Sequence, residues 1–290
     1  MTTIVMTGAT SGIGRVAAEA LLHGGATVIV GARDGGVPDG ATPRPLDLAS
    51  LASARTFAAA LPERIDGLAL NAGMQSLDVS SRSIDGFELT FAVNHLASYL
   101  LARLVLPKLA DGARVVLTSS GTHDPREKTG IPAPHHADPL RLAHPDRDPD
   151  LDAIATVAGL RAYSSSKLCN LMTARMLARD PEAVRRGIVV HAYDPGFVPA
   201  TGLARGSPWP VRVIVMPLLA RFPLLSGMNR LDDAGGALAG LLTGAIDTPA
   251  VYMALRRGRP TWPEPSPLAL DDRACARLWT ESATMVGLLA

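Results

Sequence analysis

The chain has 290 residues, 47% of them hydrophobic and 19% charged, which excludes a disordered or fibrous chain and suits one α/β domain spanning residues 1–290. A formal net charge of +1 gives no reason to expect nucleic acid or an anionic membrane as partner. The two cysteines, Cys169 and Cys275, stand in no metal-ligand spacing and fit a reducing, cytoplasmic setting.

In chain order, Ile4-Val5-Met6-Thr7 reads as a first strand with no basic leader before it. Gly8, Gly12 and Gly14 follow, opening an alanine-rich helix from Val16 to Leu22 that Gly24-Gly25 ends. Glycines between a strand and a helix permit a tight turn and close backbone approach, and the N–H groups at the helix start suit a pyrophosphate. The spacing is G-x-x-x-G-x-G rather than G-x-G-x-x-G. Thr27 to Val30 is strand two, a short third strand precedes Leu46-Asp47, and a helix runs from Ala49 to Leu61. Strand four is Leu68-Ala69-Leu70, one long helix covers Gly86 to Leu109, and strand five is Arg114 to Thr118. Residues 121–150 are rich in Pro, His and Asp without a period, which reads as a long loop or insertion, a kind of segment that is usually functional or mobile. A helix from Leu160 to Arg179, a sixth strand at Ile188 to Ala192, a last strand at Val251 to Ala254 and a helix from Asp271 to Leu288 complete the pattern. Strands alternating with helices imply a Rossmann-type, doubly wound, mostly parallel sheet with helices on both faces, the ligand lying at the carboxyl ends of the strands.

Two features concern a cofactor and a proton. Strand two ends Val30-Gly31-Ala32-Arg33, with Ala32 where an acid would hold the ribose of NAD. The guanidinium of Arg33 suits the 2′-phosphate of NADP, Arg15 could add a second charge, and Asp34 is the competing ribose ligand. Tyr163 and Lys167 lie one helical turn apart, so a phenol and an ammonium share a face. The ammonium should favour the phenolate, making Tyr163 a general acid or base beside a nicotinamide, and Lys167 can also reach ribose hydroxyls. Ser120, closing strand five, could polarise a carbonyl oxygen.

Thr7-Gly8-Ala9-Thr10-Ser11-Gly12-Ile13-Gly14, Asn71-Ala72-Gly73, Val93-Asn94-His95-Leu96, Ser120, Tyr163-x-x-x-Lys167 and Pro195-Gly196 occur in this order. The ordered set resembles the short-chain dehydrogenase/reductase family over nearly the whole chain. The resemblance implies cofactor contacts at Gly8, Thr10, Ser11, Gly12, Ile13, Gly14 and Arg33, with Asp47 and Leu48 flanking the adenine and Asn71, Ala72 and Gly73 beside the adenosine ribose. It implies a catalytic set of Asn94, Ser120 (rather than Ser119), Tyr163 and Lys167, with Asn94 holding a water for a proton relay. It further implies that Pro195 and Gly196 lie at the nicotinamide face and that Thr201, one position later than the commonest spacing, binds the carboxamide. Dimers or tetramers through the two long helices are common in such families.

The long separation of Ser120 and Tyr163 departs from the pattern and marks an insertion at about 121–159. It resembles the enlarged retinol dehydrogenase-like and protochlorophyllide reductase-like members. Tyr163-Ser164-Ser165-Ser166-Lys167-Leu168-Cys169-Asn170, Thr201-Gly202-Leu203 and Ala276-Arg277-Leu278-Trp279-Thr280-Glu281-Ser282 add to the second likeness. Phe197 stands where the light-dependent pigment reductases carry cysteine, which favours a dark carbonyl reductase or alcohol dehydrogenase. His123, His135, His136 and His144 cluster with Asp138, Asp146, Asp148 and Asp150. Their spacings match no defined metal site, so a solvated loop is expected. The apolar stretch around Val211 to Leu225 is broken by Arg212, Pro217, Arg221 and Pro223. It reads as part of a lid at about 202–230 rather than as an integral membrane span. The expectation is an NADP(H)-dependent enzyme acting on a hydrophobic ketone, aldehyde or secondary alcohol. The alternatives are a non-catalytic NADP(H) sensor and a membrane-peripheral retinoid- or steroid-type dehydrogenase.

Overall fold

Side chains alternate along the strands, so Val5 packs on one face of the sheet while Ile4 and Met6 pack on the other. In the computed structural model, which describes residues 2–199, 228–247 and 249–289, this alternation builds two apolar layers around one eight-stranded sheet. The strands are β1 (Thr3–Thr7), β2 (Thr27–Ala32), β3 (Thr42–Pro45), β4 (Ile65–Leu70), β5 (Leu109–Thr118), β6 (Val189–Asp194), β7 (Tyr252–Arg256) and β8 (Arg259–Thr261), in the order β3-β2-β1-β4-β5-β6-β7-β8. All neighbours are parallel except β7 and β8. The chain leaves β1 to one side for β2 and later returns to its other side as β4, which creates the switch point where ligands bind in such sheets. Register pairs Thr7 with Gly31 and Leu70, Leu70 with Leu117, Thr118 with Tyr193 and Asp194 with Ala254. Gly8, Arg33, Asn71, Ser119 and Pro195 therefore leave the sheet along one edge.

Helices α1 (Gly12–His23), α2 (Leu51–Ala59), α3 (Leu89–Lys108), α4 (Ala155–Ala178), α5 (Leu231–Thr243) and α6 (Asp272–Met285) cover the two faces. One layer joins Phe57, Leu100, Leu117 and Leu171 from α2, α3, β5 and α4; the other joins Ala17, Val30, Tyr193 and Leu238 from α1, β2, β6 and α5. α3 is long and apolar enough to cross a membrane, but 78% of its apolar window is buried within the protein. It begins where the Glu88 carboxylate accepts the N–H groups of Thr90 and Phe91 at 2.8 and 2.6 Å, later than the expected start at Gly86. A π-turn at Ala92–Leu96 widens it around Asn94. α4 starts at Ala155, ahead of the expected Leu160.

The segment read as an aperiodic loop contains short helical turns at Gly121–His123, Pro125–Glu127, Pro139–Ala143 and Pro145–Arg147. Asp124 and Asp138 cap two of them, each followed by proline at the first helical position. Its charges are engaged by arginines rather than simply solvated. His136 Nε2 meets Asp148 Oδ2 at 2.8 Å, Arg141 Nε donates to Asp148 Oδ1 at 2.8 Å and Arg161 Nε to Asp152 Oδ2 at 2.6 Å. Arg277 on α6 reaches Asp138 at 2.9 Å. No three His, Cys, Asp or Glu side chains converge as a metal site among the described residues. Thr201 and most of the expected lid, up to residue 227, lie outside the described residues.

Candidate active site

At the end of β1, Gly8 has φ of 69° and Gly12 of 59°, the left-handed region that glycine tolerates. A Cβ on Gly8 would stand 2.6 Å from the Ala72 Cα, and one on Gly14 2.2 Å from the Gly8 carbonyl oxygen and 2.6 Å from Asn71 Nδ2. These glycines are thus required by the close passage of the first turn against the end of β4. Asn71 fastens that passage: its Nδ2 donates to the Gly8 carbonyl at 3.1 Å, its N–H to Thr7 Oγ1 at 3.1 Å, and its Oδ1 accepts from Thr118 Oγ1 at 3.1 Å. Ser11 precedes α1 without a side-chain cap, so Thr10, Ser11, Gly12 and Ile13 present backbone at a helix start. Such an N-terminus with glycine walls fits a pyrophosphate.

At the next strand end, Arg33 is exposed and has no hydrogen bond or ion pair among the described residues. Arg15 is engaged, its Nε donating to Glu19 at 2.9 Å and its Nη1 to the Gly36 carbonyl at 3.1 Å. Asp34 is exposed beside Arg33. Leu46 N–H donates to the Ala32 carbonyl at 2.9 Å, which sets Asp47 and Leu48 beside this corner. One Asp47 oxygen accepts the Ala49 N–H at 3.0 Å.

Tyr163 and Lys167 sit on the buried face of α4, 5% and 3% exposed, with Nζ 5.7 Å from the phenol ring centre. Lys167 Nζ donates to the Thr118 carbonyl at 3.0 Å, and Ser119 Oγ donates to the Lys167 carbonyl at 2.8 Å. Ser119 is therefore tied into the packing, while the half-buried Ser120 lies beside the Tyr163 side chain. Ser120 Oγ accepts the Thr122 N–H at 3.3 Å. Its hydroxyl proton thus remains for Tyr163 or for a substrate oxygen. A Cβ on Gly73 would lie 3.1 Å from Lys167 Nζ and 3.5 Å from Asn94 Oδ1, so the 71–73 segment passes directly beside the pair.

One expectation changes here. Burial pushes the Tyr163 phenol above its ordinary range; the Ser120 hydrogen bond opposes this, and the Asp194 charge adds to it. The Lys167 ammonium is itself desolvated and lowered to about 8 by burial, with Asp194 opposing, and its nearness does not offset the burial that raises the phenol. Asn94 is fully buried with its amide hydrogens occupied: Nδ2 donates to the Met74 carbonyl at 2.8 Å and to Ser166 Oγ at 2.9 Å, and Oδ1 accepts the Met74 N–H at 2.8 Å. These bonds make Asn94 a latch that holds the loop after Gly73.

Pro195-Gly196 follows β6, with Gly196 at φ of 66°. Asn229, which no motif marked, is 2% exposed and donates from Nδ2 to the carbonyls of Pro195 and Leu255 at 2.7 Å each. Its N–H donates to the Phe197 carbonyl at 2.9 Å. Asn170, marked in the sequence only by a likeness, donates from Nδ2 to the Thr118 carbonyl at 3.1 Å, and His123, grouped there with the loop histidines, places Nδ1 2.7 Å from the Ser120 carbonyl. Asp194 was missed as well; its place directly before Pro195 was the available signal.

A family model described as short chain dehydrogenase matches residues 2–128. The chain is 34% identical to "Dehydrogenase/reductase SDR family member 13" of Bos taurus, covering 99% of this chain and 73% of that protein. It is 32% identical to "Retinol dehydrogenase 14" of Mus musculus over 99% and 86% of the two chains. It is 34% identical to a Streptomyces sp. (strain C5) protein provisionally named daunorubicin C-13 ketoreductase DnrU, over 98% and 92%. Among solved structures, a protein from Mycobacterium paratuberculosis superposes with a TM-score of 0.72 at 28% identity, covering 100% of this chain and 94% of that one.

Proposed function

This chain belongs to the short-chain dehydrogenase/reductase family and is an oxidoreductase, and from that premise we propose that it moves hydride between NADP(H) and a hydrophobic ketone, aldehyde or secondary alcohol, with Tyr163 as the proton carrier. The observation that carries this reading is the convergence of Tyr163, Lys167 and Ser120 at the strand ends beside the glycine-walled turn.

When bound, the nicotinamide supplies or accepts the hydride. In the reducing direction Tyr163 gives its hydroxyl proton to the carbonyl oxygen. The Ser120 hydroxyl steadies that oxygen as it gains charge. Burial makes the Tyr163 phenolate costly, so its formation depends on Ser120, on a protonated Lys167 and on the positive charge of an oxidised cofactor. Lys167, lowered to about 8, can return a proton near neutral pH. Asn94 acts indirectly, by holding the loop from Asn71 to Met74 against Lys167.

The preference for NADP(H) rests on Arg33, which is exposed and unengaged where an acid would serve NAD. Arg33→Ala is expected to weaken NADPH binding about tenfold or more, the scale of a lost charge-assisted phosphate contact, while NADH binding changes little. Isothermal titration with both cofactors measures this. An equal loss for both would assign Arg33 to structure instead.

The hydrophobic substrate class is supported by Leu77 and Phe197, 40% and 51% exposed on the loops leaving Gly73 and Gly196, and by the name of the Streptomyces relative. NADPH consumption at 340 nm against a panel of polycyclic or polyketide-like ketones and small sugars tests it. Bulky ketones should be turned over, and a strong preference for sugars would rule the class out.

A further inference from the structure

One buried carboxylate has no task in this scheme. Asp194 ends β6 immediately before Pro195 and is 1% exposed. Its Oδ1 accepts the Gly196 N–H at 2.8 Å. Its Oδ2 accepts Arg256 Nη1 at 2.8 Å and the Tyr252 hydroxyl at 3.2 Å. Arg256 Nη2 in turn meets Glu127 Oε1 at 3.0 Å. A Cβ on Gly121 would stand 3.1 Å from Asp194 Oδ2 and 3.3 Å from Arg256 Nη2. One ion pair thus touches both the Pro-Gly turn and the residue that follows Ser120. Burying such a pair costs several kcal/mol per ion before its own attraction is counted, and apolar replacements often fold as well. Folding alone therefore does not call for a carboxylate here.

We propose that Asp194 is a positioning and charge-setting residue of the hydride-transfer site: locked by Arg256, it fixes the Pro195-Gly196 turn against the Ser120-Gly121 step and sets a negative charge behind the Lys167 ammonium. The positioning half rests on the functional reading above; the charge-setting half does not.

The groups facing Asp194 are few. From β7 come Arg256, held protonated by Asp194, and Tyr252, pushed up by burial. From the insertion come Glu127 and His123, whose ring lies edge-on to Tyr252 at 5.2 Å and whose protonation burial disfavours. The Tyr193 phenol is held protonated by burial on its own strand. From α4 comes Lys167, whose Nζ sits on the carbonyl of Thr118, the partner in register of Tyr193 next to Asp194, on the sheet face that Ala192 shares with Leu168 and Leu171; the Asp194 charge acts on it and on Tyr163. Lys167 is the member of this set that gains or loses charge in the neutral to mildly alkaline range.

The chain has three lysines, Lys108, Lys128 and Lys167, so side-chain NMR of ¹³C-labelled lysine can follow Lys167 directly, with Lys108→Arg and Lys128→Arg assigning the other two signals. Asp194→Asn can still accept the Gly196 N–H but carries no charge. In it Lys167 should titrate lower than in the wild type by about half a unit to one unit, a modest fraction of what an adjacent charge produces. The pH profile of kcat/KM should move the same way, a change that mere loosening of the turn would not cause. The double variant Asp194→Asn/Arg256→Met removes the buried pair, leaving only the part-exposed Glu127 without its arginine, and should also lower the Lys167 titration should the single variant fail to fold. An unmoved Lys167 titration in a folded variant would overturn the proposal. A shifted titration in a protein that reduces no carbonyl would instead sink the functional reading and leave the charge-setting role standing.

Discussion

Tyr163→Phe is expected to lower turnover by about 10³-fold, the middle of the range for loss of a positioned general acid, while NADPH binding and stability stay close to wild type. The phenol is 5% exposed, and its hydroxyl lies beside Ser120. Ser120 also accepts the Thr122 N–H, so removing the hydroxyl leaves a half-buried serine that water can satisfy. The ring itself keeps its packing, because phenylalanine fills the same volume. Single-turnover reduction with bound NADPH separates this from a defect of cofactor binding. A variant with full activity would remove Tyr163 from the mechanism.

The second large effect joins activity and stability at Lys167. Lys167→Met should abolish most turnover and yet make the cofactor-free protein more stable at neutral pH. Burial lowers the folded-state ammonium to about 8 from 10.5. Below about 8 the folded protein carries the whole penalty of a desolvated charge, and as the pH rises toward the unfolded value the folded form has already shed its proton while the unfolded chain still holds one. Stability of the wild type therefore rises with pH across that window. The shift corresponds to a penalty of about 3 kcal/mol at neutral pH as an order of magnitude. Methionine is similar in length and apolar, and Asn170 still donates to the Thr118 carbonyl that Lys167 would vacate. Urea unfolding at neutral pH and near pH 10 checks this: the variant's advantage should be largest at neutral pH and shrink at the higher value. A variant less stable at both would mean that the Thr118 contact outweighs the burial of the charge.

What could be read from the chain follows how locally each feature is encoded. β1, β2, β4 and β6 are apolar runs closed by Gly, Arg, Asn or Pro, and their period and length suffice. β8 is a three-residue edge strand containing Pro260, paired antiparallel through the turn at Gly258 with φ of 74°, and so short a run carries no period. α5 was overlooked because Gly235 and Gly236 interrupt an otherwise good helix with Asp232 and Asp233 in its first turn and Gly244 after its end. Gly235 is there because a Cβ would come within 2.4 Å of Val16 on α1, a demand of packing that no local rule contains. Two Asp-Pro pairs of the insertion, at Asp124 and Asp138, are helix starts, legible as caps one at a time but without the periodicity of a long helix.

The same division holds at the site. Gly8, Gly14, Tyr163 and Lys167 are recognised by spacing because one turn or one helix brings them together. The roles of Asn94 and Asp194 depend on partners distant in sequence, Met74 and Ser166 for the one and Arg256 and Tyr252 for the other. Their chemistry emerges only when α3 meets α4 and when β6 meets β7. The direction of the Tyr163 shift was misjudged for a related reason: spacing places an ammonium nearby but says nothing of how deeply the pair is buried.

The central claim, a nicotinamide cofactor held in the glycine-walled turn and read by Arg33, is tested most directly by fluorescence titration of the wild-type protein with NADPH and with NADH. The account predicts saturable binding with a clear preference for NADPH. Tighter binding of NADH would give the ribose corner to Asp34, and binding of neither cofactor would contradict the account.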